Sequence, residues 1–248
     1  LFEHAQRYLD EALEAGIETD DAILRARARL MRLQLESQSG ESQAWADQVL
    51  SEGDRAIPVF EEAKDHQNLA MAWRLIAWAH GTRCNYDEAA KAAGRAVDEA
   101  RISDDHRQRR RAASQFAVAC LYGPMPVAEA IRQCEEIVAE AGADRRTIGL
   151  VTSLLARLYA MRGDFDEARR LYAKARITLE EMGRSVIASS TSLDSCGVEM
   201  LAGDPAAAER ELRRDFDALT AMGERYVLST IAAELARAID AQCRHEEA

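Results

Sequence analysis

The sequence predicts an all-α fold, a solenoid of antiparallel helix pairs, and three observations carry that expectation. First, Val49, Ala89, Ala130, Ala168, Ala208 and Ala248 form a ladder at spacings of 40, 41, 38, 40 and 40 residues. A fixed period in this range is the mark of a stacked repeat array, in which each unit buries its apolar face only against its neighbours. Second, Ala77, Val118, Ala156, Cys196 and Ala236 each precede one of the last five rungs by twelve residues. Such a constant offset fits two helices that cross closely, each donating a small or compact side chain at the crossing. Third, alanine is abundant while the 248 residues include only 13 glycines and four prolines, a composition that favours helix. No alternating run of β-branched or aromatic residues signals a strand.

Along the chain the elements follow in order. Over residues 1–65 the pattern is less regular, with helices expected at about 1–16, 20–38 and 42–64. Pro58 inside the third predicts a kink or a restart near Asp54, and Ser37–Ser42 reads as a loop. Clear repeats occupy 66–248. The first has Ala70, Trp73, Ile76 and Ala77 on its first helix, a turn at Cys84-Asn85, and Tyr86-Asp87-Glu88-Ala89 opening its second. The next turns at Gly123-Pro124-Met125-Pro126, where two prolines enforce a stop.

The plainest unit runs from Asp144 to Met182. Ile148, Val151, Leu154, Leu155, Leu158 and Tyr159 form one helical stripe. Gly163 then ends that helix and Asp164 opens the next, which carries Phe165, Ala168, Leu171, Tyr172, Ala175 and Leu179 and stops at Met182-Gly183. The same grammar returns at Ala202-Gly203-Asp204-Pro205, with proline in the first helical turn, and at Met222-Gly223. A last helix over about 224–242 carries Tyr226, Leu228, Ile231, Leu235 and Ile239, and an exposed apolar patch is expected there. The whole is read as one repeat domain over 1–248. It begins at Leu1 and stops where a further helix is expected to open, so it is expected to belong to a longer protein.

Thirty-two basic residues against 43 acidic ones give a net charge of −11. Nucleic acid and anionic membranes are therefore not expected as partners, since both need a basic face. No apolar run reaches the length of a membrane helix. Five cysteines without a C-x-x-C pair suit free thiols and a cytoplasmic setting. The five histidines are scattered and make no H-E-x-x-H motif, and no G-x-x-x-x-G-K-[ST] phosphate loop occurs. No catalytic residue, metal site or cofactor is expected, and the chain is not expected to be an enzyme.

Two features remain as candidate binding sites. Arg107, Arg109, Arg110 and Arg111 cluster at the start of a helix and could dock an acidic segment or a nucleotide phosphate. There the helix dipole opposes them, so Asp104 and Asp105 are expected to pair with them. The second is a groove. In a helix-pair solenoid the first (A) helix of each pair lines the inner surface. Residues three before and one after the small A-helix position then face it: Arg74 and Trp78, Gln115, Ser153 and Arg157, and Arg237. Three recurring arginines and a tryptophan would give a locally positive face for a carboxylate-bearing peptide.

The strings Asn85-Tyr86-Asp87-Glu88-Ala89-Ala90 and Gly163-Asp164-Phe165-Asp166-Glu167-Ala168 resemble the tetratricopeptide (TPR) repeat, whose A helix carries a small residue twelve positions before an alanine in the second (B) helix. That resemblance implies a right-handed, TPR-like α-solenoid. The period of about 40 departs from the family's usual 34 and implies longer helices; HEAT-type units share the longer period. A finer resemblance covers roughly 50–248. Ala56-Ile57-Pro58-Val59-Phe60-Glu61-Glu62, Gly123-Pro124-Met125-Pro126-Val127, Ala202-Gly203-Asp204-Pro205-Ala206-Ala207-Ala208-Glu209 and Leu228-Ser229-Thr230 look like the C-terminal repeat region of bacterial regulators. In these, a cyclase or DNA-binding domain is joined to an AAA-like or signal-transduction ATPase. The resemblance implies a regulatory docking arm that binds a protein, a peptide or other domains of its own chain, or alternatively a sensor of a small-molecule inducer.

Overall fold

The computed structural model describes residues 2–37, 44–183 and 185–247. The expected loop at Ser37–Ser42, apart from Ser37, and the rung at Ala248 lie outside them. Among the described residues there are thirteen helical segments and no strand. They fall into two compact units, Leu1–Pro124 and Met125–Ala248, and the boundary lies within the double-proline segment.

The first unit holds α1 (Phe2–Glu18), α2 (Ala22–Glu36), α3 (Trp45–Glu62), α4 (His66–Thr82), α5 (Tyr86–Ile102) and α6 (His106–Tyr122). Each packs on the next, and α2, α4 and α6 also pack side by side. The second unit holds α7 (Val127–Glu140), α8 (Arg145–Met161), α9 (Phe165–Glu180), α10 (Ser185–Ser190), α11 (Ser192–Leu201), α12 (Pro205–Ala221) and α13 (Tyr226–Asp240). There α8, α11 and α13 are the alternate helices in lateral contact. In both units, then, the A helices form a layer of their own.

One turn design joins most of these helices. A single residue takes the left-handed conformation and the residue after it, usually Asp or Asn, opens the next helix. Gly163 (φ 93°) and Gly203 (φ 77°) do this as expected, but so do Asp20, Lys64, Cys84 and Asp104, at φ between 53° and 56°. The N–H of the following residue reaches back five positions, as from Asp65 to the Phe60 carbonyl (2.8 Å), Asp105 to Ala100 (2.9 Å) and Asp204 to Glu199 (2.9 Å). This is the Schellman closure. The same residue then caps the next helix: the side chains of Asp21, Asp65, Asp105 and Asp204 accept from the N–H three residues on. One residue thus ends one helix and begins another, which fixes their relative register.

That register buries the ladder. Val49, Ala130, Ala168 and Ala208 are fully buried, Ala89 nearly so, and Ala77, Ala156 and Cys196 are buried as their partners. Replacing Ala168, on α9, by leucine is expected to overpack the α8–α9 crossing and cost about 1–3 kcal/mol. A thermal melt checks this, and an unchanged midpoint would refute the close crossing. Val118 departs from the pattern. It is 38% exposed, because α6 ends at Gly123 in extended backbone (φ −89°, ψ −176°) rather than in the left-handed turn, and its buried small residues are Ala112, Ala117, Ala119 and Cys120.

Three other expectations are corrected. α3 runs through Pro58 as one element with no restart. The A helix of the fourth clear repeat is divided at Thr191 into α10 and α11. The hydroxyls of Ser190, Thr191 and Ser192 bond to the carbonyls three residues back, Thr191 to Ala188 at 2.6 Å, and such back-bonding competes with the helical ladder. On α13, Val227, Leu228, Ile231, Leu235 and Ile239 are buried or half-buried in a cluster with α11 and α12, so the expected exposed patch is not found among its described side chains.

Two glycines mark still closer approaches. A Cβ on Gly149 would lie 2.7 Å from Leu179 Cγ, and one on Gly53 2.7 Å from Ile76 Cδ1. These helices touch backbone to side chain at points the ladder does not include.

Candidate functional site

In the first unit the A-helix layer carries the polar groups that stand out. Arg74 lies on α4 and is only 4% exposed. Its Nε donates to Gln108 Oε1 on α6 (2.9 Å) and its Nη2 to Gln34 Oε1 on α2 (2.9 Å). Arg74 therefore bridges all three A helices of the unit through neutral amides. Burial, then the Arg111 and Arg107 guanidinium groups, pull its pKa from 12.5 down to about 10. It stays charged at neutral pH but is held at a cost.

One turn along α4, Trp78 is half-buried and meets Trp45 edge-on, with ring centroids 5.1 Å apart. Trp45 is fixed by its indole N–H, which donates to the Leu33 carbonyl at 2.6 Å. Trp78 thus packs against the core on one side and keeps part of its surface exposed. Trp73 is likewise half-buried, with the Arg95 guanidinium 4.5 Å from its ring centroid. On α6, Gln115 is half-buried, and its side-chain oxygen is buried with no hydrogen-bond partner among the described residues.

The arginine run opens α6. Asp105 caps the helix by accepting from the Gln108 N–H, and Asp104 approaches His106 Nε2 at 3.5 Å. The expected neutralisation by these aspartates therefore gives way to capping. Arg107 and Arg111 are exposed, and no carboxylate pairs with either, or with Arg109, among the described residues. Arg110 turns its Nε onto the His106 carbonyl (3.0 Å).

In the second unit the expected groove residues are differently occupied. Ser153 is 1% exposed and donates to Asp194 Oδ2 at 2.6 Å, joining α8 to α11. Burial pushes the Asp194 carboxyl up, with Ser153 and then Arg157 opposing the shift. Arg157 lies across Gly197, where a Cβ would come within 2.9 Å of its Nε. Arg237 is exposed, but both Glu234 oxygens accept from its Nη1, at 2.9 and 2.8 Å. Arg74 is thus buried between helices of the first unit and Arg237 is paired with Glu234 in the second, so neither adds an open positive charge to a groove face. Arg74 and Ser153, each three residues before a small crossing residue, fall between neighbouring A helices rather than on an open face.

The cysteines form no disulfide with one another; Cys120, Cys134 and Cys196 are buried, and Cys84 and Cys243 exposed. Burial pushes the Cys196 thiol up to about 12, which keeps it protonated and unreactive. Among the described residues no helix is long and apolar enough to cross a membrane. No family model matches the chain, and no curated protein matches it.

Proposed function

We propose that this chain is a TPR-like, right-handed solenoid of antiparallel helix pairs that works by binding rather than by catalysis. In this reading it is the regulatory docking arm of a bacterial multidomain signalling protein, acting in the cytoplasm. It would hold a peptide, a partner protein or other domains of its own chain. The observation that carries the proposal is the lateral packing of α2, α4 and α6 and, separately, of α8, α11 and α13. In each unit the A helices packed on one another form a continuous layer, a preformed surface that binds a partner without ordering cost. Trp78 and the unsatisfied amide oxygen of Gln115 belong to that layer. They are the anchors such a surface uses, an aromatic body and a hydrogen-bonding group.

Selection of random displayed peptides against the immobilised chain tests the proposal. Enriched peptides should bind in solution and lose at least about tenfold in affinity with Trp78→Ala or Gln115→Ala. They should be unaffected by Lys91→Ala on the outward side of α5. Failure to enrich any peptide, or binding indifferent to both A-layer variants in proteins of native circular dichroism, would overturn it.

A further inference from the structure

The first unit buries a positive charge that no carboxylate pairs with among the described residues. Arg74 has five N–H donors, and the Gln34 and Gln108 oxygens take only two of them. The other charged groups acting on it are further guanidinium groups, Arg111 and then Arg107. Their placement follows from helix geometry. Gln108 lies against Arg74, and Arg111 and Gln115 follow it by three and seven residues on the same face of α6. Arg107 is its immediate neighbour in the first turn. At the same end of α6 Asp105 is engaged with the Gln108 N–H and makes no ion pair with Arg74, Arg107 or Arg111 among the described residues. A bridge between three A helices needs none of this, since a neutral amide or an apolar side chain would join them without a buried charge.

We propose that Arg74, Arg107 and Arg111 form a binding site for a phosphate monoester dianion. Three guanidinium groups carry more charge than a single carboxylate can neutralise, although one carboxylate can accept from two arginines, as Glu209 does from Arg213 and Arg244. A tetrahedral dianion offers three or more acceptor oxygens and a charge nearer to that of the cluster. The surroundings point the same way. With the chain at −11, an extended acidic segment would be repelled outside the cluster, whereas a compact dianion samples only the local field. The site depends on the first unit alone and stands or falls independently of peptide docking.

Calorimetric titration with inorganic phosphate, at constant ionic strength set by chloride, tests the site. Saturable binding is expected, at least about tenfold tighter than acetate, together with a rise in melting temperature that chloride does not give. The variant Arg107→Gln/Arg111→Gln alters two exposed side chains. In phosphate-free buffer it should melt higher than the parent, because like charges are removed, and it should lose the phosphate-induced rise. Arg74→Gln should abolish binding; if it fails to fold, the double variant still decides. A nucleoside 5′-monophosphate and a phosphoserine peptide, each against its dephosphorylated counterpart, identify the carrier of the group. A phosphate response equal to that of chloride, or equal in parent and double variant, would overturn the proposal.

Discussion

Phe60→Ala is expected to destabilise the first unit by about 3–5 kcal/mol, the usual range for emptying a fully buried aromatic site. Phe60 is the largest side chain with no exposure anywhere among the described residues. It sits in one cluster with Leu30 of α2, Val49 of α3 and Leu75 of α4, a core built by three helices that cannot all collapse into the space it leaves. Urea unfolding followed by circular dichroism measures the change. A loss below about 1 kcal/mol would mean that the cluster repacks freely and that the helices of this unit are less firmly registered than the capped turns imply. Phe60→Leu, which keeps most of the volume, should recover more than half of the loss.

The elements that could be read in advance were those written in strong local signals. The ladder at Val49, Ala89, Ala130, Ala168 and Ala208 is buried, because a small residue at a close crossing has few substitutes. The turns at Gly163 and Gly203 could be read because glycine is the usual residue at positive φ. Those at Asp20, Lys64 and Asp104 could not, since these residues also occupy ordinary backbone, and only the Asp or Asn that follows betrays the turn. Val118 was misplaced because the twelve-residue offset presumes the left-handed turn, which α6 lacks. The candidate site shows the same division. Arg74 could be picked out from its place on the A-helix face and Arg111 from its charge run. Gln34 and Gln108, which hold Arg74 in place, carry no charge and no periodicity. Partners 40 and 34 residues away are visible only once the A helices lie side by side.

The second large effect is expected in the other unit, at an ion pair. Asp215 on α12 is 1% exposed and its two oxygens accept from Arg176 on α9, at 2.9 Å from Nη1 and 3.2 Å from Nη2. Arg176 is itself almost enclosed, with a further contact to Glu211 at 3.4 Å and an Nε that has no partner. Removing Asp215 therefore strands a buried guanidinium on one long contact. Asp215→Ala is expected to cost about 3–5 kcal/mol, the range for breaking rather than replacing a buried pair. The desolvation of the arginine, not the lost attraction alone, sets that figure. Removing both charges tests this directly, because Arg176→Met/Asp215→Leu takes away the stranded guanidinium and leaves Glu211 to its partner Arg214, and it should regain most of the stability lost in the single variant. Denaturant unfolding of the parent, the single variants and the double variant completes the cycle. If Asp215→Ala loses less than about 1 kcal/mol, or the apolar pair is no better than the single variant, the α9–α12 contact is held by packing around the pair and not by the charges themselves.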